Sequence, residues 1–238
     1  MLPTPNHVPA RRLPSVHEPA AGTSVRRPFR QLSYAEASRA LYIDFEGPKD
    51  QAPVLLGIHR RGRGPKPFLQ QDVLDPAFAG LGCRLMTLRG SISNVVARAE
   101  HRDCRIISWS EYDLEVIRTL RADDPALVAR FEHRYANALG VAKRWMNRLH
   151  RADLPPDGRL AEFLAYIGYE VPPDAPSGRV GETIRIIRPR LERGEKLTAR
   201  QQQRWIELLE HNRYDCAGMR AVCLRATREL DAESAGAR

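Results

Sequence analysis

A short apolar segment that carries two acidic residues sets the first limit on how this chain folds. Residues 40–46 read Ala-Leu-Tyr-Ile-Asp-Phe-Glu, which predicts a buried strand ended by a Gly-Pro turn. Asp44 and Glu46 are two positions apart, so both side chains point to one face of that strand. Buried carboxylates repel each other and lose their hydration, and bound Mg²⁺ or Mn²⁺ removes both costs. The alternative is a strand that ends near Phe45 and leaves Glu46 solvated at the turn.

The segments that follow predict an α/β fold with a mixed sheet. Residues 53–59 and 66–73 predict two further strands, so the first three strands form an antiparallel meander. Apolar spacing then predicts a helix over 91–102, a strand over 105–109 and a helix over 112–120. Strand, helix and strand in this order indicate a right-handed crossover to a parallel neighbour.

From about residue 125 onward the sequence predicts helices only. A long amphipathic helix covers 126–149, and shorter helices cover 160–168 and 180–193. The last helix begins after Thr198, a good N-cap residue, and extends to about Leu230.

Three parts are expected along the chain. Residues 1–34 are rich in Pro and Arg and poor in core-forming residues, which predicts a disordered basic tail. Residues 35–230 are expected to form a single domain, and residues 231–238 a second disordered tail.

The features of secreted and membrane proteins are not found in this sequence. No apolar run approaches the ~20 residues that cross a bilayer, and the N-terminus lacks the apolar stretch of a secretory signal. None of the four cysteines belongs to a zinc-binding pattern, and Cys216 and Cys223 are seven positions apart, on one face of a helix. We therefore expect these two residues to pack in the core, and the protein to be cytoplasmic.

The formal charge of +9 at pH 7 favours a polyanionic partner such as nucleic acid. Most of this charge comes from arginine, which base composition alone can also produce, so charge by itself leaves the partner open. Basic residues that could guide a nucleic-acid backbone are Arg60, Arg61, Arg63, Lys143 and Arg144. A solvated surface is the alternative for each.

A third acidic residue, Asp113, follows the fourth predicted strand. It lies near the start of the next helix, where the helix dipole stabilises an anion. The alternative is that Ser110, Glu111 or Asp113 only caps this helix.

His211 and Asp215 are four positions apart in the last helix, so they share one face of it. An imidazole beside a carboxylate and a metal site can orient or deprotonate an attacking water. The alternative for His211 is a surface partner of Asp215 that contributes little to stability.

Together these residues resemble the DEDD superfamily of 3′–5′ exonucleases, which carry Asp-x-Glu on the first strand, an Asp after a middle strand and an Asp on a late helix. The matching residues here are Asp44 and Glu46, Asp113, and Asp215. The segment His-Asn-Arg-Tyr-Asp at 211–215 is similar to the Tyr-Asn-x-x-Asp motif of a bacterial branch, the predicted RecB-family nucleases with an RNase H-like domain. The resemblance covers residues 41–224, and no motif aligns between 121 and 197.

The resemblance implies an RNase H-like fold and hydrolysis of phosphodiester bonds with two Mg²⁺ or Mn²⁺ ions about 3.5–4 Å apart. Asp44 would bridge both ions, and Glu46 and Asp215 would hold the ion that activates water. Asp113 would support the second ion through a water molecule. The expected partner is a single-stranded end of DNA or RNA.

The resemblance leaves the role of His211 open. Family members with a histidine in this motif commonly place it five residues before the Asp, whereas here the spacing is four. His211 would therefore orient the water as the Tyr does, act as the base, or do neither. Tyr214 is a neighbouring candidate, about a quarter-turn away on the helix.

Two other functions compete with a nuclease. A domain of the same fold without catalysis would bind nucleic acid or act as a scaffold. An unrelated α/β domain would bind RNA through its Arg-rich surface, and would leave Asp44, Asp113 and Asp215 scattered in space. The sequence contains no Walker-type phosphate loop, no GxSxG motif and no HExxH motif.

Overall fold

The computed structural model of the protein describes residues 32–48, 51–61, 68–170 and 179–236. The disordered tail predicted over 1–34 lies outside the described residues up to residue 31. Its last three residues belong to the fold, because Leu32 is buried, Ser33 caps a helix and Tyr34 begins that helix. The predicted tail therefore extends into residues that belong to the fold.

Three antiparallel strands form one half of the sheet, as predicted. After α1 (Tyr34–Arg39) come β1 (Leu41–Glu46), β2 (Leu55–Arg60) and β3 (Phe68–Val73). In the pairing of β1 with β2, Asp44 lies opposite Gly57. This antiparallel meander is confirmed.

A parallel crossover follows the meander, also as predicted. The short strand β4 (Arg84–Leu85) pairs with β3, and α2 (Leu88–His101) then leads to β5 (Ile106–Ser108). Strand β5 pairs in parallel with β1, and α3 (Glu111–Leu120) follows it. The α/β class with a mixed sheet is confirmed.

The long helix predicted over 126–149 is wrong. Helix α4 (Pro125–Arg134) ends before an extended segment, β6 (Tyr135–Asn137), which pairs in parallel with β5 and is followed at once by α5 (Ala138–Leu149). The Tyr135 hydroxyl donates a 2.8 Å hydrogen bond to the Ser110 carbonyl, and the Asn137 side chain caps α5. The sheet therefore has six strands, in the order β4-β3-β2-β1-β5-β6.

Three helices complete the described chain. They are α6 (Leu160–Tyr166), α7 (Val180–Glu192) and α8 (Ala199–Gly236). Thr198 accepts a 3.3 Å hydrogen bond from the backbone N of Gln201, as expected of an N-cap residue. The predicted end of α8 at Leu230 is wrong, because the helix continues to Gly236 and includes most of the tail that was expected to be disordered.

Helices cover both faces of the sheet. The face that carries Leu41, Ile43 and Phe45 packs against α2, α3 and α4, and the face that carries Tyr42 packs against α5, α6 and α8. A third apolar cluster, which includes Trp205, joins α7 and the first half of α8 to β2 and β3. Helix α8 therefore crosses the face of β1 that carries the two acidic residues.

The cysteines are all unpaired, and Cys216 and Cys223 are buried, as expected of core residues. In the ranges that the structure describes, no helix combines the length and the apolar character needed to cross a membrane.

Candidate metal centre

Strand β1 extends beyond its parallel neighbour. Strand β5 pairs with β1 only at Leu41 and Tyr42, and β5 ends at Ser108. Further along β1, the Phe45 backbone N donates a 3.4 Å hydrogen bond to the Oδ1 of Asp113, which lies on the first turn of α3. The carboxyl ends of β1 and β5 therefore meet at an edge of the sheet of the kind where ligands bind in α/β folds.

Asp113 does not act as the cap of α3. Ser110 is the N-cap residue, and its hydroxyl accepts a 3.3 Å hydrogen bond from the Tyr112 backbone N. Asp113 is buried against β1. The capping alternative for Asp113 is therefore wrong, and its carboxylate joins the acidic residues of β1.

Helix α8 brings His211 and Asp215 to Glu46. The His211 Nε2 lies 3.6 Å from the Asp215 Oδ2 and 3.8 Å from the Glu46 Oε1. One ligand atom from each of these residues lies within 4.8 Å of the other two, and no other such trio occurs in the described part of the chain. Glu46 is buried, so the alternative of a solvated Glu46 at the turn is wrong.

Asn212, directly after His211, holds Asp44 in position. Its Nδ2 donates hydrogen bonds to the Asp44 Oδ2 at 2.9 Å and to the Asp44 carbonyl at 3.1 Å. Its Oδ1 accepts a 3.1 Å hydrogen bond from the Gln71 side chain on β3. This arrangement requires Gly57 on β2, because a Cβ at that position would lie 2.1 Å from the Asn212 Oδ1.

Sequence reasoning did not identify Asn212, Gly57 or Gln71 as site residues. Signals existed for two of them. Asn212 occupies the Asn position of the Tyr-Asn-x-x-Asp motif that the sequence resembles, and a glycine within an apolar strand often marks the close approach of another group. Gln71 has no comparable signal, because its role depends on its pairing opposite Gly57 across two strands.

All four carboxyl groups have a raised pKa, and burial is the main cause in each case. Burial raises the pKa of Glu46 to about 8 and that of Asp113 to about 6. The pKa of Asp44 is raised well above its usual value, and the charges of Glu46, Asp215 and Asp113 add to that effect. Burial also raises the pKa of Asp215, although the nearby His211 opposes the shift. The four residues are therefore close in space, unlike the scattered acids expected of an unrelated RNA-binding domain.

The arrangement fits a divalent cation. The buried Glu46 Oε1 has no hydrogen-bond partner, and a cation would satisfy it. Carboxylate oxygens are the ligands that Mg²⁺ and Mn²⁺ prefer. Ligand atoms of Glu46 and Asp215 lie within 4.8 Å of each other, with the His211 Nε2 3.8 and 3.6 Å from them. Asp44 and Asp113 lie outside this compact trio, so the expected bridging of two ions by Asp44 stays a prediction.

Other residues that the sequence suggested are placed differently. The Tyr214 hydroxyl accepts a 3.2 Å hydrogen bond from Arg213, and among the described residues it makes no hydrogen bond to the four carboxylates. Arg60 is the last residue of β2, and residues 62–67, which include Arg63, lie outside the described residues. The other two basic candidates, Lys143 and Arg144, are exposed on α5.

Comparisons with known proteins give no match: no family model matches the chain, and neither a curated protein nor a solved structure shows significant similarity to it.

Proposed function

We propose that the protein is a metal-dependent nuclease of RNase H-like fold, which hydrolyses nucleic-acid phosphodiester bonds and removes nucleotides from the 3′ end. The observation that carries this proposal is the convergence of Asp44, Glu46, Asp113 and Asp215 at one edge of the sheet. An antiparallel meander followed by parallel crossover strands supports it, because the resemblance to the exonucleases implies the same strand plan.

The acidic residues would hold the cations. Glu46 and Asp215, with His211 beside them, would bind one ion, and Asp44 and Asp113 would complete the site for a second. Bound there, such ions lower the pKa of a water molecule and stabilise negative charge on the phosphodiester.

His211 is placed to move a proton. In the hydrolysis a water oxygen bonds to phosphorus, the bond from phosphorus to the 3′ oxygen breaks, and that oxygen takes up a proton. The His211 Nε2 lies near Glu46 and Asp215 and can accept the proton that the water loses. The four-residue spacing within α8 puts the imidazole on the same face as Asp215.

Cleavage of strands labelled at one end tests the proposal. Single-stranded and duplex DNA and RNA, labelled at the 3′ or the 5′ end, are incubated in Mn²⁺ or EDTA with the wild type, Asp44→Asn and the exposed control Asp157→Asn. We expect stepwise, Mn²⁺-dependent loss from the 3′ end with the wild type and the control, and none with Asp44→Asn.

Each other result has a distinct meaning. Cleavage within the strand that needs Asp44 would keep the metal site and change the reaction to an endonuclease reaction. Strand binding without cleavage in any metal would overturn the nuclease proposal and favour a nucleic-acid-binding domain.

A further inference from the structure

A groove of about 370 Å³ lies between α7 and the first half of α8. The residues of α8 that line it are three or four positions apart and so form one stripe along the helix. They are Arg200, Gln203, Arg204, Glu207, Leu208 and His211. The stripe continues to Asp215, so the groove and the acidic centre lie on one face of α8.

The other wall of the groove is the start of α7, with Arg179, Val180 and Thr183. The two helices run antiparallel, because Gln201 contacts the Ile186 carbonyl at 3.4 Å whereas Arg204, further along α8, pairs with Glu182 at 3.3 Å. Along α8 from Arg200 toward His211, the facing residues of α7 therefore lie progressively closer to Arg179.

The inner end of the groove reaches the end of β1. A Cβ on Gly181 would lie 3.6 Å from the Cα of Pro48, which is two residues beyond Glu46. The outer end begins at Arg200, eleven residues before His211, and this interval is about 16 Å along a helix. A stacked strand advances about 3.4 Å per nucleotide, so the groove is about five nucleotides long.

Positive charge exceeds negative charge in the groove. Arg179 and Arg200 form no ion pair with any residue that the structure describes, and Arg204 pairs with the half-exposed Glu182. Glu207 is the one acidic residue of the described lining. Arg179 and Arg200, which have no ion-pair partner among the described residues, suit phosphate groups, because the planar guanidinium donates two parallel hydrogen bonds to them.

We propose that this groove binds the phosphodiester backbone of a single nucleic-acid strand and directs its end to the acidic centre. Cleavage of that end rests on the nuclease function proposed above, whereas binding of the strand in the groove does not. The groove's volume of about 370 Å³ suits a single strand rather than a duplex. The strand passes Arg200 first, then Arg204, and reaches Arg179 beside the centre.

Binding measured without cleavage tests the groove on its own. The full chain in EDTA is titrated into fluorescent single strands of DNA and of RNA over a series of salt concentrations. The groove variant is Arg179→Ala/Arg200→Ala, and the control is Arg102→Ala/Arg151→Ala. Both lower the net charge by two, and the control residues are exposed outside the groove. A third variant, Arg179→Lys/Arg200→Lys, keeps the charge, and thermal melting verifies that each variant is folded.

We expect the groove variant to bind at least about tenfold more weakly, with a salt slope reduced by about 1.4, since each single-strand phosphate contact contributes about 0.7. The control should bind with wild-type affinity, and the lysine variant should keep the wild-type salt slope. Comparison of the DNA and RNA titrations shows which sugar the groove prefers. Equal weakening by both alanine variants would overturn the proposal, and so would a wild type that binds no strand at low salt. Equally strong binding of an oligoglutamate peptide through the same arginines would also overturn it.

The two proposals can fail separately. Loss of strand binding in the groove variant, with no Mn²⁺-dependent cleavage by the wild type, would keep the groove and remove the nuclease function. Cleavage by the wild type with unchanged binding in the groove variant would do the reverse.

Discussion

Asp72 and the four carboxylates of the candidate centre lie in or against the same sheet and differ in what surrounds them. Asp72 on β3 is fully buried, and its oxygens accept hydrogen bonds from Arg84 and Ser91 at distances of 2.6 to 3.1 Å. The four carboxylates of the candidate centre have His211 as their basic neighbour, and the Glu46 Oε1 has no partner.

This difference is the one expected between a structural carboxylate and a metal ligand. At Asp72 the protein's own donors use the oxygen lone pairs and compensate the charge, so burial is tolerated. At the candidate centre burial and mutual repulsion raise the pKa of the carboxyl groups, and bound cations would recover that free energy. Neutralising a carboxylate should therefore have opposite effects on stability at the two places.

The largest expected effect is the response of the metal-free centre to pH. The pKa of Glu46 is about 8 in the folded protein and 4.5 in an unperturbed glutamate, so the folded state holds this proton more tightly than the unfolded state. The stability that the proton contributes is complete below about pH 4.5 and is lost as the pH rises through about 8. In EDTA we expect the wild-type free energy of unfolding to fall by several kcal/mol over this window, and that of Glu46→Gln to fall less. The variant should keep part of the fall, because Asp44, Asp113 and Asp215 keep raised pKa values of their own.

Urea denaturation at a series of pH values measures this. The exposed control Glu170→Gln should follow the wild-type curve. A wild-type free energy of unfolding that rises from pH 4.5 to 8 would contradict the raised pKa of Glu46.

Divalent cations should act on one set of carboxylates and not on the other. At about 100 times its dissociation constant, Mn²⁺ should stabilise the wild type by about 2.7 kcal/mol. Asp215→Asn should lose most of this response, whereas Asp72→Asn should keep it because protein donors already occupy the Asp72 oxygens. Thermal melting in Mn²⁺ and in EDTA checks both, and an undiminished response in Asp215→Asn would mean that the ion binds elsewhere.

Asp72→Ala should destabilise the protein, by about 1–3 kcal/mol, because the buried Ser91 hydroxyl loses its acceptor. Arg84 is half-exposed, so water compensates part of its loss. The urea midpoint of Asp72→Ala, measured beside the exposed control Asp123→Ala, tests this. A variant as stable as the control would show that the hydrogen bonds of Asp72 add little to the fold.

The smallest expected effect concerns the residues that support Asp44. Asn212→Ala should weaken Mn²⁺ binding about tenfold, as loss of an outer-shell partner does. Gly57→Ala should weaken it similarly, because its Cβ would displace the Asn212 side chain. In Mn²⁺ titrations followed by thermal melting, the double variant should bind Mn²⁺ as tightly as either single variant, since both substitutions remove the same support of Asp44 by Asn212. Additive losses would mean that Gly57 acts through something other than Asn212.

The sequence pattern correctly predicted which side chains share a face where both lie on one strand or one helix. Alternation along residues 40–46 predicted that Asp44 and Glu46 share a face, and the four-residue spacing predicted that His211 and Asp215 do so. Neither prediction needed the rest of the fold. The structure places His211 beside Asp215 and Glu46, and Asp44 close enough to Glu46 for their charges to interact.

Pattern failed where the outcome depends on contacts between distant segments. The apolar spacing over 126–149 continues through β6, whose extended shape depends on pairing with β5. The end of α8 is held by the Tyr34 backbone N, which donates a 2.9 Å hydrogen bond to Asp231, and by the ion pair of Arg148 with Glu233. No local pattern reports such contacts, so the sequence alone placed the end of this helix too early.

The single helix α8 carries one wall of the groove as well as His211, Asn212 and Asp215. An α-helix turns about 100° per residue, so one residue inserted between Arg204 and His211 would rotate the arginines away from the face of the centre. An insertion of about two turns would restore their direction and move them about 10 Å further away. For a strand bound as proposed, the number of residues between these points sets how far from its entry the strand meets the centre. Insertions should therefore be tolerated in the surrounding loops but not in this stretch of α8.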